Sequence, residues 1–166
     1  AGKGAMQLLH AGRYGHPPFK RAASTKKSPI TPFGEPKAMS TKEVDQTVTD
    51  FAKSAVLARR AGYDGVEIMG SEGYLINQML TARTNNRTDR WGGSAENRMR
   101  FPVVIVERVR EAFGDDIIVM YRMSLLDLVD NAQSREAIVD LAKRLDAAGV
   151  SILNAGDGWH EARILP

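Results

Sequence analysis

Four side chains able to move a proton, hold charge or direct a hydrogen bond stand far apart in the sequence, each at or just beyond the end of an apolar run: Gln7, Tyr74, Arg122 and His160. A phenol, with a reference pKa of about 10, stays protonated at neutral pH and can donate to a strongly basic carbon centre. A guanidinium can stabilise negative charge that develops beside it. An imidazole can hydrogen-bond the phenol or polarise a carbonyl, and a carboxamide offers one donor group and one acceptor. Tyr74 follows the apolar stretch Gly65–Met69, which breaks at Gly70. Loops beyond the carboxyl ends of strands are where α/β folds do chemistry. Taken alone, Tyr74 is better read as a ring packed beneath a loop, and His160 as a satisfied loop histidine.

The elements that must position these groups can be read in order. Met6–His10 is a short strand, ended by Ala11-Gly12-Arg13. Residues 14–39 hold Pro17, Pro18, Pro29, Pro32 and Pro36 and predict a long loop. Its Lys20, Arg21, Lys26 and Lys27 could meet ligand phosphates, but a solvated basic loop is the simpler expectation. Ser40-Thr41-Lys42-Glu43 is a capping box with Met39 placed as a staple onto Val44. The helix it starts carries Val44, Val48, Phe51, Ala55 and Ala58 on one face and should stop at Gly62. After Tyr74 comes the segment Leu75–Leu80, and 81–97 is a polar loop whose Arg87–Asn97 part is expected to be ordered by an Arg and Asp network. Ser94 caps a helix to about Phe113, with Pro102 set to kink it or mark its regular start. Ile117–Arg122 is apolar on both faces until its last residue, as a buried parallel strand would be. A helix from about Ser134 to Ala148 and a strand Val150–Ala155 complete the order.

Helix end, glycine and strand recur in Leu57–Ile68 and in Leu145–Leu153. The alternation β-α-β-α-β-α-β implies parallel pairing through right-handed crossovers. Polar residues at the ends of four successive strands are the arrangement of a (β/α)-barrel active site. The fold class expected is therefore α/β, a partial TIM (β/α)8 barrel of about four βα units. The chain opens so close to its first strand that a preceding portion is expected.

Composition narrows the partners. Of 166 residues, 43% are hydrophobic and 26% charged, ordinary for a globular domain. The net charge of +3 is too mild and dispersed for nucleic acid, yet suits an anionic ligand. No apolar run reaches membrane-span length, and no signal-peptide pattern is present. Cysteine is absent, which excludes disulfides and thiolate metal sites within these residues and fits a cytoplasmic protein. No metal site is expected.

Longer motifs carry a resemblance. Met69–Asn77, the run Arg83-Thr-Asn-Asn-Arg-Thr-Asp-Arg-Trp-Gly-Gly93, Tyr121–Ser124 and Gly158-Trp-His-Glu-Ala-Arg163 are similar to the flavin barrel of the bacterial 2,4-dienoyl-CoA reductase branch of the old yellow enzyme family. The resemblance implies an FMN-dependent oxidoreductase that reduces a conjugated 2,4-dienoyl-CoA thioester in fatty-acid β-oxidation. Gln7 then corresponds to the glutamine on the flavin pyrimidine ring, and Arg122 to the arginine at its N1–C2 carbonyl edge. Tyr74 corresponds to the proton donor and His160 to the histidine that assists it. Arg83, with His160, Glu161, Ala162 and Arg163, corresponds to the substrate-binding segment. General ene-reductases of the family carry His, and His or Asn, where this chain has Met69 and Glu72; that departure favours the dienoyl-CoA branch.

A whole barrel needs about 250 residues. By likeness, 1–166 supplies strands three to six of a single FMN-binding barrel domain. FAD, an iron–sulfur cluster and NADPH would bind outside it, as would the FMN phosphate. Open sheet edges would favour self-association over FMN binding by this chain alone. Two alternatives remain: a general ene-reductase or amine dehydrogenase on the same fold, or a non-catalytic half-barrel.

Overall fold

The computed structural model describes residues 2–16, 18, 20–31 and 34–162. Strand β1 (Ala5–Leu8) leads into a 3-10 turn, Gly12–Tyr14, and a short pair, β2 (Arg21–Ala22) and β3 (Lys37–Ala38). Helix α1 (Thr41–Arg60) and strand β4 (Gly65–Gly70) follow, then α2 (Leu75–Leu80) and α3 (Ala95–Phe113). Strand β5 (Ile118–Leu126), helix α4 (Arg135–Ala147) and strand β6 (Ile152–Asp157) end the described order. The main sheet is parallel with order β1-β4-β5-β6. Successive strands of this sheet lie side by side and parallel, and crossovers of one hand, as such connections have, put the helices on one face.

That face is the core. Val66, Ile68, Val119 and Tyr121 have no exposed surface, and they meet Val44 and Ala55 of α1, Ile105 of α3 and Leu145 of α4. Burying each such aliphatic side chain contributes roughly 1.5–3 kcal/mol. The alternate residues of the same strands, Gln7, Glu67, Met120, Arg122 and Asn154, turn to the other face in register. No helix among the described residues is long and apolar enough to cross a membrane.

Local rules account for the boundaries. Both halves of the expected capping box are present at Ser40 and Glu43. The repeat of helix end, glycine and strand is one device used twice. Tyr63 N–H donates to Ala58 O and Gly62 N–H to Arg59 O, and Val150 N–H to Leu145 O and Gly149 N–H to Asp146 O likewise. Gly62 and Gly149 take φ of 94° and 100°. Each is a Schellman stop. The second delays β6 to Ile152, two residues later than the periodicity predicts.

Three other boundaries move for tertiary reasons. β1 ends at Leu8, because the His10 carbonyl accepts from Leu75 N–H and its Nδ1 from Gly12 N–H. β5 runs four residues beyond Arg122, held by β6 through a register shift between Ser124 and Leu126. Helix α3 continues through Pro102, which lacks the N–H that would reach the Arg98 carbonyl.

Part of the basic loop is packed, which corrects the solvated expectation for Lys20 and Arg21, while Lys26 and Lys27 are exposed. Lys20, Ala22, Ala23 and Ser28 are buried, Arg21 pairs with Glu43, and Lys26 Nζ donates to Arg83 O. The 81–97 loop is ordered as expected. Arg87 donates to the Ala23 and Met39 carbonyls and to Asp89, while Asn85 Nδ2 binds Met79 O at 2.7 Å and Trp91 O at 2.8 Å.

Candidate active site

The turn after β4 is built from residues that only this geometry explains. Gly73 has φ 80°, and a Cβ there would lie 2.5 Å from Tyr14 Oη and 2.7 Å from Trp159 Cε3. Its N–H donates to Asn77 Oδ1 at 2.9 Å, and Asn77 Nδ2 donates to Asp127 Oδ1 at 3.1 Å, so the turn is tied to the loop after β5. Gln78 Nε2 donates to Gly73 O at 2.6 Å, while its Oε1 accepts from Arg13 N–H at 3.1 Å. Glu72 is held at φ 61°, a left-handed conformation uncommon for glutamate. Tyr74 becomes the N-cap of α2, with its ring at the rim.

Three of the four candidate groups meet there. Tyr74 Oη and His160 Nε2 lie 2.8 Å apart. The same nitrogen is 3.6 Å from Glu72 Oε2, and Glu72 Oε1 accepts from Arg122 Nε at 2.9 Å. The backbone repeats the link, since His160 N–H donates to Glu72 O at 3.3 Å. Tyr14 stands edge-on to both rings, with centroids 5.9 Å from Tyr74 and 5.8 Å from His160. Burial, and secondarily the Glu72 carboxylate, push the Tyr74 phenol above its ordinary value. The group is thereby kept protonated. In the tautomer that carries the proton on Nε2, His160 would donate to the phenol oxygen and leave the Tyr74 O–H free for a bound group; in the other tautomer the phenol donates to Nε2.

Gln7 is not part of that contact. It lies lower on the same sheet face, where its Nε2 donates to Glu67 Oε2 at 2.7 Å. Glu67 Oε1 also accepts from Asn154 Nδ2 at 2.6 Å, so one carboxylate joins β1, β4 and β6. A carboxylate only accepts, so the Gln7 amide turns its N–H toward Glu67 and presents its oxygen elsewhere. Among the described residues, the Arg122 Nη groups have no protein acceptor.

The expected substrate segment divides. Arg83 donates through Nε to Glu161 Oε1 at 3.2 Å and through Nη1 to Asp130 O at 3.3 Å. The Glu161 side chain is 1% exposed and also takes Arg13 Nη2 on the same oxygen. Ala162 N–H closes a turn onto Trp159 O at 2.8 Å. Arg163 lies outside the described residues.

Reasoning from sequence alone missed Glu72, Glu67, Asn154 and Arg13 as parts of this region. Glu67 carried a signal, a lone acid at an alternate position of an otherwise apolar strand. Arg13 was noted only as part of the Ala11-Gly12-Arg13 end of the first strand, with no role given to it.

Comparison with known proteins supplies the context. Residues 2–165 match the NADH:flavin oxidoreductase / NADH oxidase family. The chain is 36% identical over 161 residues to an NADH oxidase of Thermoanaerobacter brockii, covering 95% of this chain and 25% of that protein. It is similar to morphinone reductase, with a TM-score of 0.86 and 33% identity over 99% of this chain and 50% of that one. It is also similar to 2-naphthoyl-CoA reductase in complex with 2-naphthoyl-CoA, with a TM-score of 0.88 and 32% identity over 93% of this chain and 26% of that one. It thus spans a quarter to a half of the length of these relatives. On this match and on the fold that accompanies it, the chain belongs to the NADH:flavin oxidoreductase / NADH oxidase family.

Proposed function

We propose that residues 1–166 form an arc, strands three to six, of an FMN-binding (β/α)8 barrel in an NAD(P)H-dependent oxidoreductase that reduces a conjugated 2,4-dienoyl-CoA thioester. The contact between Tyr74 Oη and His160 Nε2, at 2.8 Å on the rim above the sheet, is the observation that carries it. The sheet face below fits the flavin ring system. Gln7 presents an acceptor oxygen and Arg122 its Nη donors, which suit the imide N–H and carbonyl edge of a pyrimidine. Reduced FMN, when bound, would supply hydride to the distal carbon of the conjugated thioester and become oxidised.

Charge then spreads toward the thioester oxygen, and a proton must reach carbon. Tyr74 holds that proton, His160 steadies the phenol oxygen, and Glu72 fixes His160 relative to Arg122. Arg122 sets positive charge beside the pyrimidine edge. Neither Met69 nor Glu72 offers the paired donors that hold an enone carbonyl in general ene-reductases, and the likeness to a naphthoyl-CoA reductase supports a CoA thioester. FAD, an iron–sulfur cluster and NADPH belong to the same proposal as electron carriers outside these residues.

Likeness to morphinone reductase favours a second reading, reduction of simple enones. The test is oxidation of the FMN-loaded, chemically reduced enzyme by 2,4-dienoyl-CoA, by simple enones and by no acceptor. Rapid reoxidation by the dienoyl thioester is expected. Preference for enones would select the second reading, and no flavin binding by the enzyme would leave a non-catalytic barrel piece.

A further inference from the structure

Beneath the Tyr74–His160 pair lies a buried charge cluster that the proposed reaction does not use. Arg13, from the turn after β1, is 2% exposed, and its Nη2 donates to Glu161. Arg83, from the loop after α2, shares the same carboxylate oxygen. Arg13 Nη1 donates to Lys27 O at 3.1 Å, and its guanidinium lies 5.7 Å from the Tyr14 ring centre and 5.6 Å from that of Trp159. Arg13 Nε, Tyr14 Oη, Trp159 Nε1 and Glu161 Oε2 are buried with no protein partner among the described residues.

A cluster of this kind is a poor source of stability. Desolvating the charges costs as much as their attraction returns, and each unpartnered buried polar atom costs more. What it does supply is position. His160 sits between Trp159 and Glu161, and both of those side chains are anchored: the indole is buried at 3% exposure and the carboxylate at 1%, whereas the imidazole between them is 43% exposed. The loop backbone is fixed on its other side by Gly158 N–H on Leu126 O and Trp159 N–H on Asp127 O.

We infer that the Arg13–Glu161–Arg83 cluster locks the loop after β6 onto the turn after β1 and the loop after α2, so that Arg13 and Glu161 are positioning residues that hold the His160 ring against Tyr74. The Glu161 carboxylate, in this role, acts through His160 rather than on substrate. The inference rests on Tyr74 as the proton donor only for its kinetic consequence; its structural content stands apart.

The experiment compares the FMN-loaded enzyme with its E161Q, E161D and R13K variants. Imidazole NMR reads the His160 signals, FMN titration reads cofactor affinity, and stopped flow reads reoxidation of the reduced flavin by a 2,4-dienoyl-CoA. In E161Q and R13K the His160 signals should shift and broaden, and reoxidation should slow by about ten- to a hundredfold, the scale of a misplacement near 1 Å. FMN affinity should stay within about twofold of the parent. E161D, which keeps the charge, should recover part of the rate, and it serves if E161Q does not fold. His160 signals identical to the parent in the folded variants would overturn the inference. So would a parallel loss of FMN affinity, which marks a general folding role. If the parent is not reoxidised by any thioester, the proposed reaction fails, while the NMR comparison still decides the positioning claim.

Discussion

Tyr74 occupies a position where its neighbours settle its protonation. Burial and the Glu72 carboxylate both raise its pKa, so the neutral phenol persists beyond the ordinary value of about 10. The alkaline limb of the protonation step should accordingly lie above pH 10, and a pH profile of flavin reoxidation with any Tyr74-dependent limb near neutrality would contradict this. Replacing Tyr74 with Phe should leave FMN affinity intact and slow reoxidation by about 10²–10⁴-fold, as measured by stopped flow. Gly73 tests the scaffold beneath it. Gly73→Ala puts a methyl where Tyr14 and Trp159 already stand and forces a side chain onto φ 80°. We expect a loss of about 1–3 kcal/mol in a denaturant melt, and a weakened Tyr74–His160 contact. Tyr74 and His160 were legible because each follows an apolar strand, and Gln7 and Arg122 because each breaks an apolar run, although the structure places these two within β1 and β5 rather than at the strand ends. Glu72 was not, because its role depends on a left-handed turn and on Arg122, 50 positions away. A conformation and a long-range ion pair have no local signature.

Elements whose ends are set by nearby residues follow the sequence closely, as the capping box at Ser40 and the two Schellman stops show. Elements set by distant partners do not. β2 and β3 are two residues each and exist only because Lys37 N–H reaches Lys20 O and Met39 N–H reaches Ala22 O. The loop from Arg87 to Trp91 is intermediate: its Arg and Asp pair can be read off, but not its role of pinning that basic segment to α1. Asp89 takes Arg87 on both oxygens, Thr41 Oγ1 at 2.6 Å and Trp91 N–H at 3.1 Å. The Arg87 guanidinium, foremost, pulls its pKa down to about 2. A carboxylate depressed in the folded state contributes stability that is complete above its unfolded pKa and is lost as pH falls through the folded one. That window runs from about pH 4 down to about 2. Asp89→Asn should cost about 1–3 kcal/mol at neutral pH, flatten acid unfolding over that window, and leave FMN affinity unchanged in the folded protein. A variant of parental stability that binds flavin poorly would move this loop from scaffold to site.

At the scale of the whole molecule, the sheet is parallel and polar groups lie along the face opposite the helices, an unusual surface to leave to water. Its outer strands, β1 and β6, each have a row of backbone groups without a strand partner among the described residues. Leu9 at 44%, Ile152 at 47% and Leu153 at 43% exposure place apolar side chains at or next to those strands. Unpaired edges bordered by exposed aliphatics invite another strand. Residues 1–166 prepared as a separate polypeptide should therefore associate, and light scattering on a sizing column should give at least twice the mass of one chain. Where the contact runs through β6, a lysine on that strand would set a charge beside the incoming strand that must be desolvated. Leu153→Lys should shift the population toward monomer without lowering helical content by circular dichroism. FMN should bind the separate polypeptide weakly or not at all, because the contacts proposed for Gln7 and Arg122 would reach only one edge of the ring system and the described face offers little to enclose it. A monomer that carries near-stoichiometric flavin would contradict both expectations at once, and would mean that four strands suffice for what the sheet is proposed to share with the rest of a barrel.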